Sequence, residues 1–170
     1  MPVISNTSPL LDLAIVDHLF LLPQQCGQII IPEAVLAELK INDDLPGSSE
    51  LKSAVGEGWL VVKAVEDRAL VNLLRRELHQ GESEAIALAV ELSADKVLLD
   101  EKEARQAARA LNLSITGIVG ILLRGWQEGS IPSLKNVFDR LQQDANFWLS
   151  PALRTQILQV SGELDPDSSD

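Results

Sequence analysis

The chain has 170 residues, 46% of them apolar and only 4% aromatic, and a formal net charge of -11. That length fits one domain with an aliphatic core, and the acidic balance excludes attachment to nucleic acid through a broad basic face, since such binding rests on basic side chains meeting phosphates. A single cysteine, Cys26, excludes a disulfide framework and a cysteine-based zinc cluster.

Pro2-Val3-Ile4-Ser5 reads as a first short strand. Ser8 followed by Pro9 suits a helix N-cap and first position, so a helix is expected over 9–16 and Asn6 falls at the carboxyl end of the strand. A short helical piece over 17–22 leads through Gly27 to a second apolar strand, Gln28-Ile29-Ile30-Ile31. Pro32 opens the next helix, with an apolar stripe of Val35, Leu36, Leu39 and Ile41. Glu38 sits at the edge of that stripe, where a carboxylate needs a partner. The segment 42–49 is dense in turn formers and precedes a short helix over 50–55. Residues 59–65, from Trp59, read as a strand at an edge, and 67–79 as a helix.

The stretch from Gly81 to Arg109 organises the rest. Gly81 is expected to end one helix, while Glu82 and Glu84 open an alanine-rich one, where the positive end of the helix dipole favours carboxylates. Val97-Leu98-Leu99 has the wholly apolar character of a buried parallel strand, and it stops at Asp100-Glu101, from which another helix starts. In open α/β sheets ligands bind beyond the carboxyl ends of the strands, which is where Asp100 falls. Residues 113–116 give a last strand, followed by helices over 118–128, 134–145 and 151–160. Short strands alternating with helices imply an α/β fold, a short central parallel sheet flanked by helices.

One domain over 1–162 is expected, followed by an acidic flexible tail over 163–170 that carries Glu163, Asp165, Asp167 and Asp170. The best candidate for a membrane segment, 10–22, is interrupted by Asp12, Asp17 and His18 and falls short of a spanning helix, so a cytoplasmic protein with no membrane partner is expected.

The acids at strand ends, first helical turns or a core edge are Glu38, Glu82, Glu84, Asp100 and Glu101, with Asn6 as polar companion. Hard oxygen donors without His or Cys support suit Mg²⁺ or Mn²⁺, and such ions activate water and neutralise charge on a phosphoryl group.

These residues also carry a resemblance. S-N-T-S-P-L after the first strand, I-P-E-A-V-L-A-E-L, G-E-S-E-A-I-A-L-A, V-L-L-D-E-K-E-A-R-Q-A-A and T-G-I-V-G-I-L-L occur in an order that resembles the PIN-domain ribonucleases, in a VapC-like branch of uncharacterised proteins. The likeness spans about 2–162 and includes W-L-S-P-A-L. It implies a PIN-like three-layer sandwich, an acidic pocket with one or two divalent ions, Mg²⁺ or Mn²⁺, and cleavage of RNA. It further implies a toxin of a toxin–antitoxin pair, a homodimer, and a small antitoxin protein as partner. By that resemblance Glu38, Glu82 and Asp100 are the catalytic acids, Glu84 is the alternative to Glu82, Glu101 is a supporting ligand, and Thr7 or Ser8 is the helper hydroxyl. Asn6 departs from the pattern: it stands where the family has its first aspartate, which weakens ion binding and water activation.

Each residue has a plainer reading. Asn6 favours turns, Glu82 and Glu84 complement a helix dipole, Glu101 with Arg105 forms an i,i+4 pair, and Glu91 and Glu103 belong to solvated faces. Glu38 and Asp100 could be salt-bridged structural acids. His18 and His79 are read as structural or exposed, and Trp59, Trp126 and Trp148 as core or interface anchors. Arg68, Arg75, Arg76, Arg105 and Arg109 are candidates for phosphate contact, although the RNA-binding residues are not fixed by the sequence. Beside the nuclease stands a binding reading, a catalytically weakened RNA- or protein-binding module on the same scaffold. A phosphatase is disfavoured, because no phosphate-gripping glycine loop and no nucleophilic aspartate motif follow the first strand.

Overall fold

The apolar runs become strands of two to four residues, too short to stand without neighbours. In the computed structural model, which describes residues 2–164, they are β1 (Val3–Ser5), β2 (Ile29–Pro32), β3 (Leu60–Lys63), β4 (Lys96–Leu98) and β5 (Ile115–Thr116). All pair in parallel, in the order β3-β2-β1-β4-β5. β3 lies at an edge of the sheet, in agreement with the sequence pattern.

The helices, in chain order, are α1 (Thr7–Ile15), α2 (Leu21–Cys26), α3 (Glu33–Leu39), α4 (Ser48–Glu57), α5 (Arg68–Leu74), α6 (Gln80–Glu91), α7 (Lys102–Ala110), α8 (Ile118–Gln127), α9 (Leu134–Asp144) and α10 (Pro151–Ser161). Alternation along each strand sends successive side chains to opposite faces. Val3, Ile29, Ile31 and Leu98 enter one apolar cluster with α1, α2, α8 and α9, while Ile4, Val97 and Leu99 enter another with α6 and α7. The result is three layers, helix on sheet on helix. Among the described residues no helix is long and apolar enough to cross a membrane.

The central helix α6 is buried on nearly every side from Gly81 to Ala89. Its alanines let it lie close to the sheet and to α3, while burial of Ile86 and Leu88 stabilises the fold by about 1.5–3 kcal/mol each.

Several boundaries differ from the sequence reading. α1 starts at Thr7, before the Ser8-Pro9 pair, with Asn6 in the N-cap position and no side-chain cap bond. The piece expected over 17–22 forms later, as α2, because Asp17 takes a left-handed turn at φ 62°. The helix expected over 67–79 stops at Leu74 and tightens into a turn through Arg76 N–H to the Leu73 carbonyl. Gly81 does not end a helix: it sits in the first turn of α6.

Two acids given to solvent by the sequence are engaged. The Glu91 carboxylate accepts the backbone N–H groups of Glu66 and Asp67. Glu163, expected in the tail, accepts the Ser133 hydroxyl and, at 2.9 Å, the N–H of Leu134, and so holds the N-terminus of α9. The remainder of the expected tail, 165–170, lies outside the described residues.

Candidate functional site

The strand order reverses direction between β1 and β4, whose carboxyl ends lie side by side with Ser5 opposite Leu98. That switch point is where a parallel sheet opens a crevice. Asn6 follows β1 and is tied to β4 by its N–H to the Leu98 carbonyl at 3.1 Å. Asp100 follows β4 two residues past its end. Beyond these ends lies an open hollow of about 760 Å³ whose walls carry Asn6, Thr7, Ser8, Glu38, Glu82 and Glu101.

One wall belongs to α3 and α6. Glu38, on the last turn of α3, is itself exposed, but its carboxylate is fixed at both oxygens: Oε1 accepts the Gly81 N–H at 3.1 Å and Oε2 accepts the Thr7 hydroxyl. A Cβ on Gly81 would stand 2.5–2.8 Å from that carboxylate, so glycine here serves close approach between helices. Glu82, the third residue of α6, accepts the His79 N–H at 3.2 Å. Burial raises the Glu82 pKa against that hydrogen bond, and the charges of Glu101 and Glu38 raise it further.

The other wall belongs to the β4–α7 connection. Asp100 Oδ1 accepts the N–H of Ile118, the first residue of α8, at 3.1 Å, while Oδ2 is buried without a hydrogen-bond partner. Burial pushes the Asp100 carboxyl up to about 6; the Ile118 N–H and the Arg105 guanidinium pull against this, and the Glu101 charge adds to it. Asn6 is 3% exposed, and its Oδ1 is also buried without a partner.

Of the residues singled out from the sequence, the structure brings Asn6, Thr7, Ser8, Glu38, Glu82 and Glu101 onto the hollow and sets Asp100 beside it. Glu84 is turned away. It accepts from the Gln80 amide and, at 3.4 Å, from the Ala34 N–H, and pairs with Arg68 at 3.6 Å. The surface pair expected of Glu101 with Arg105 is absent among the described residues, because Arg105 donates instead to the Leu99 carbonyl at 2.9 Å. Arg68 and Arg105 are thus committed to protein groups, whereas Arg75 and Arg76 stay exposed beside the wall formed by Glu77, Leu78 and His79.

Sequence reasoning missed Asp12. It was read only as a break in an apolar stretch, yet burial pushes its carboxyl up to about 7, with the charges of Asp100 and Glu101 adding to the rise. An acid between Leu11 and Leu13 on an amphipathic helix was the available signal. Also missed were Gly81 and Gly117; a Cβ on Gly117 would stand 2.4 Å from Asp100 Oδ1.

The donor set fits a hard divalent cation. Two buried oxygens, Asn6 Oδ1 and Asp100 Oδ2, lack partners, and most of the polar side chains lining the hollow offer oxygen, with His79 as a nitrogen exception. Among the described residues no three acidic, His or Cys side chains are close enough to hold an ion by themselves. An ion held by one or two carboxylates and completed by water is the common arrangement for Mg²⁺.

An acid-lined hollow at the switch point of a parallel sheet defines an α/β protein that gathers oxygen donors at the carboxyl edge of its strands. The family follows from comparison: residues 2–163 match the family model described as a PIN domain (DUF3368), and the chain belongs to the PIN-domain family. PIN domains are generally nucleases and generally use divalent metal ions. A PilT N-terminus domain protein of the hyperthermophilic archaeon Sulfolobus solfataricus P2 is similar in fold, with a TM-score of 0.50 and 21% identity over 78% of this chain and 96% of that one. No curated protein matches the chain.

Proposed function

We propose that the chain is a metal-dependent endoribonuclease that hydrolyses RNA phosphodiester bonds and serves as the toxin of a VapBC-like toxin–antitoxin pair. The pair of partnerless buried oxygens at neighbouring strand ends, Asn6 Oδ1 and Asp100 Oδ2, carries this reading, because a buried acceptor without a donor is costly unless a cation meets it. Asn6 and Asp100 would hold Mg²⁺ or Mn²⁺, with Glu38, Glu82 and Glu101 on the walls. The bound ion supplies an activated water and neutralises charge on the phosphoryl group.

The chain's own groups do the rest. The Ile118 N–H fixes Asp100, and the Gly81 N–H and Thr7 hydroxyl fix Glu38, so neither carboxylate reorganises when substrate arrives. Glu82, with its raised proton affinity, takes the proton released by the attacking water. A chain of net charge -11 gains little from long-range attraction to RNA. Exposed Arg75 and Arg76, which precede the lining residue Glu77 in the chain, are the candidates for local phosphate contacts.

The purified chain with Mn²⁺ should cleave single-stranded RNA, and a chelator should stop it. Asp100→Asn should slow cleavage roughly 100-fold, the equivalent of about 3 kcal/mol of lost transition-state stabilisation. Expression should arrest growth, and co-expression of a small antitoxin should relieve the arrest. No cleavage with either ion, together with growth that is indifferent to expression, would sink the proposal.

A second reading, a weakened RNA- or protein-binding module, is favoured by one observation: the amide of Asn6 brings no charge to a place that suits an acid. Under it, Asn6→Asp should tighten Mn²⁺ binding or create cleavage that the unaltered chain lacks. Titration calorimetry and an RNA digest decide between the two readings.

A further inference from the structure

We propose that Arg105 is a positioning residue for Asp100: from α7 it locks the peptide that carries this carboxylate, so that Oδ1 stays on the N-terminus of α8 and Oδ2 is left for a cation. The proposal rests on the reading of Asp100 as a metal ligand.

β4 ends at Leu98, so the carbonyl of Leu99 lies past the last residue of the strand, beneath a side chain that is fully buried. A buried carbonyl must find a donor. Arg105, on the first turn of α7, reaches back past Glu101 and supplies it through Nη1 at 2.9 Å. The Leu99 N–H is fixed on its other side by the Thr116 carbonyl at 3.0 Å. The residue preceding Asp100 is therefore tied both to β5 and to α7.

The same guanidinium stands close to the carboxylate it serves. The place where a Cβ on Gly117 would sit is 2.4 Å from Asp100 Oδ1 and 3.0 Å from Arg105 Nη1, so carboxylate, guanidinium and glycine meet at one point. Nη1 bonds the carbonyl, while Asp100 Oδ2 keeps no protein partner. Arg105 thus lends positive charge beside the acid without consuming the oxygen that a cation would need. That charge also offsets part of the burial that pushes the Asp100 carboxyl up. Lysine reproduces this only in part, because a single ammonium lacks the planar fork of donors that a guanidinium carries.

Calorimetric titration of the full chain with Mn²⁺ alone, at one mildly alkaline pH, tests the proposal. Arg105→Met should weaken Mn²⁺ binding about tenfold, as loss of outer-shell partners of metal ligands does, and Arg105→Lys should fall between the two. In an Asp100→Asn background Arg105→Met should cause no further loss, because the effect passes through Asp100. A merely structural role would lower the melting temperature without this dependence on Asp100. Unchanged Mn²⁺ affinity in folded Arg105→Met, or a full loss that persists beside Asp100→Asn, overturns the proposal; if the Met variant does not fold, unchanged affinity in Arg105→Lys does so. Should the unaltered chain bind no Mn²⁺ at all, the ligand reading of Asp100 fails and takes this proposal with it, an outcome visible before any variant is compared.

Discussion

Glu38 and Asp100 are seated by the same device and left in opposite states. Each carboxylate accepts one backbone N–H at a helix N-terminus, at 3.1 Å, above a glycine whose missing Cβ makes room. Glu38 then has its second oxygen satisfied by Thr7 and remains exposed. Asp100 has its second oxygen buried and partnerless, and its carboxyl is pushed up to about 6 by burial. Two anion seats of one design therefore differ in what they still need: the α6 seat is complete within the protein, and the α8 seat asks for a cation.

The largest contrast should come from filling the two glycine gaps. A methyl on Gly117 would press on a buried, pinned carboxylate. Gly117→Ala is expected to cost about 1–3 kcal/mol of stability, the range for overpacking, and to weaken Mn²⁺ binding about tenfold. Gly81→Ala presses on the tip of an exposed glutamate, which can yield at the cost of its Gly81 and Thr7 hydrogen bonds, while alanine gains up to about 1 kcal/mol of helix propensity. Its stability should stay level or rise, with a loss of Mn²⁺ affinity of only a few-fold. Urea unfolding and titration calorimetry on both variants measure this, and equal penalties would break the comparison.

A second, intermediate effect is pH dependence. Because the Asp100 carboxyl is raised from 3.8 to about 6, the folded chain holds this proton where the unfolded chain has released it, so stability is lost as pH rises from about 4 to 6. Asp12, raised to about 7, extends the loss through neutrality. Melting temperature in chelator should therefore fall from pH 5 to pH 8, and added Mn²⁺ should restore it at the upper end only. Asp100→Asn should flatten the slope.

The smallest effect on the site is expected at Glu84. Its carboxylate holds the Ala34 N–H and pairs with a half-exposed Arg68. Glu84→Gln should cost about 1 kcal/mol of stability and leave Mn²⁺ affinity within twofold, read by the same two measurements. A marked loss of affinity would move the third acid from Glu82 to Glu84.

Much of this was legible in the residues. Ile29-Ile30-Ile31 and Val97-Leu98-Leu99 announce buried parallel strands by their unbroken apolar character, and Asp100 follows the second directly. Other features were hidden. Glu82 and Glu84 lie two residues apart on one helix, about 200° around its axis, so both cannot face the same hollow. Which one does so depends on how α6 is rotated against α3, and local pattern carries no such information. Gly81 was misread as a helix end for the same reason: its meaning lies in Glu38, far away in sequence. Asp12 looked like an interruption because its neighbours in charge, Asp100 and Glu101, arrive from the distant β4–α7 connection.

By itself, then, the sequence determined the alternation of strands and helices, the aliphatic core, and the stock of oxygen donors at strand ends, since hydrophobic period and turn chemistry act over a few residues. Tertiary structure alone decided which donors share a hollow, which are already satisfied, and which oxygen is left without a partner. Those outcomes depend on the strand order β3-β2-β1-β4-β5 and on contacts such as Glu38 with Gly81 and Asp100 with Ile118, in which burial and hydrogen bonding are set by residues that the chain brings together only on folding.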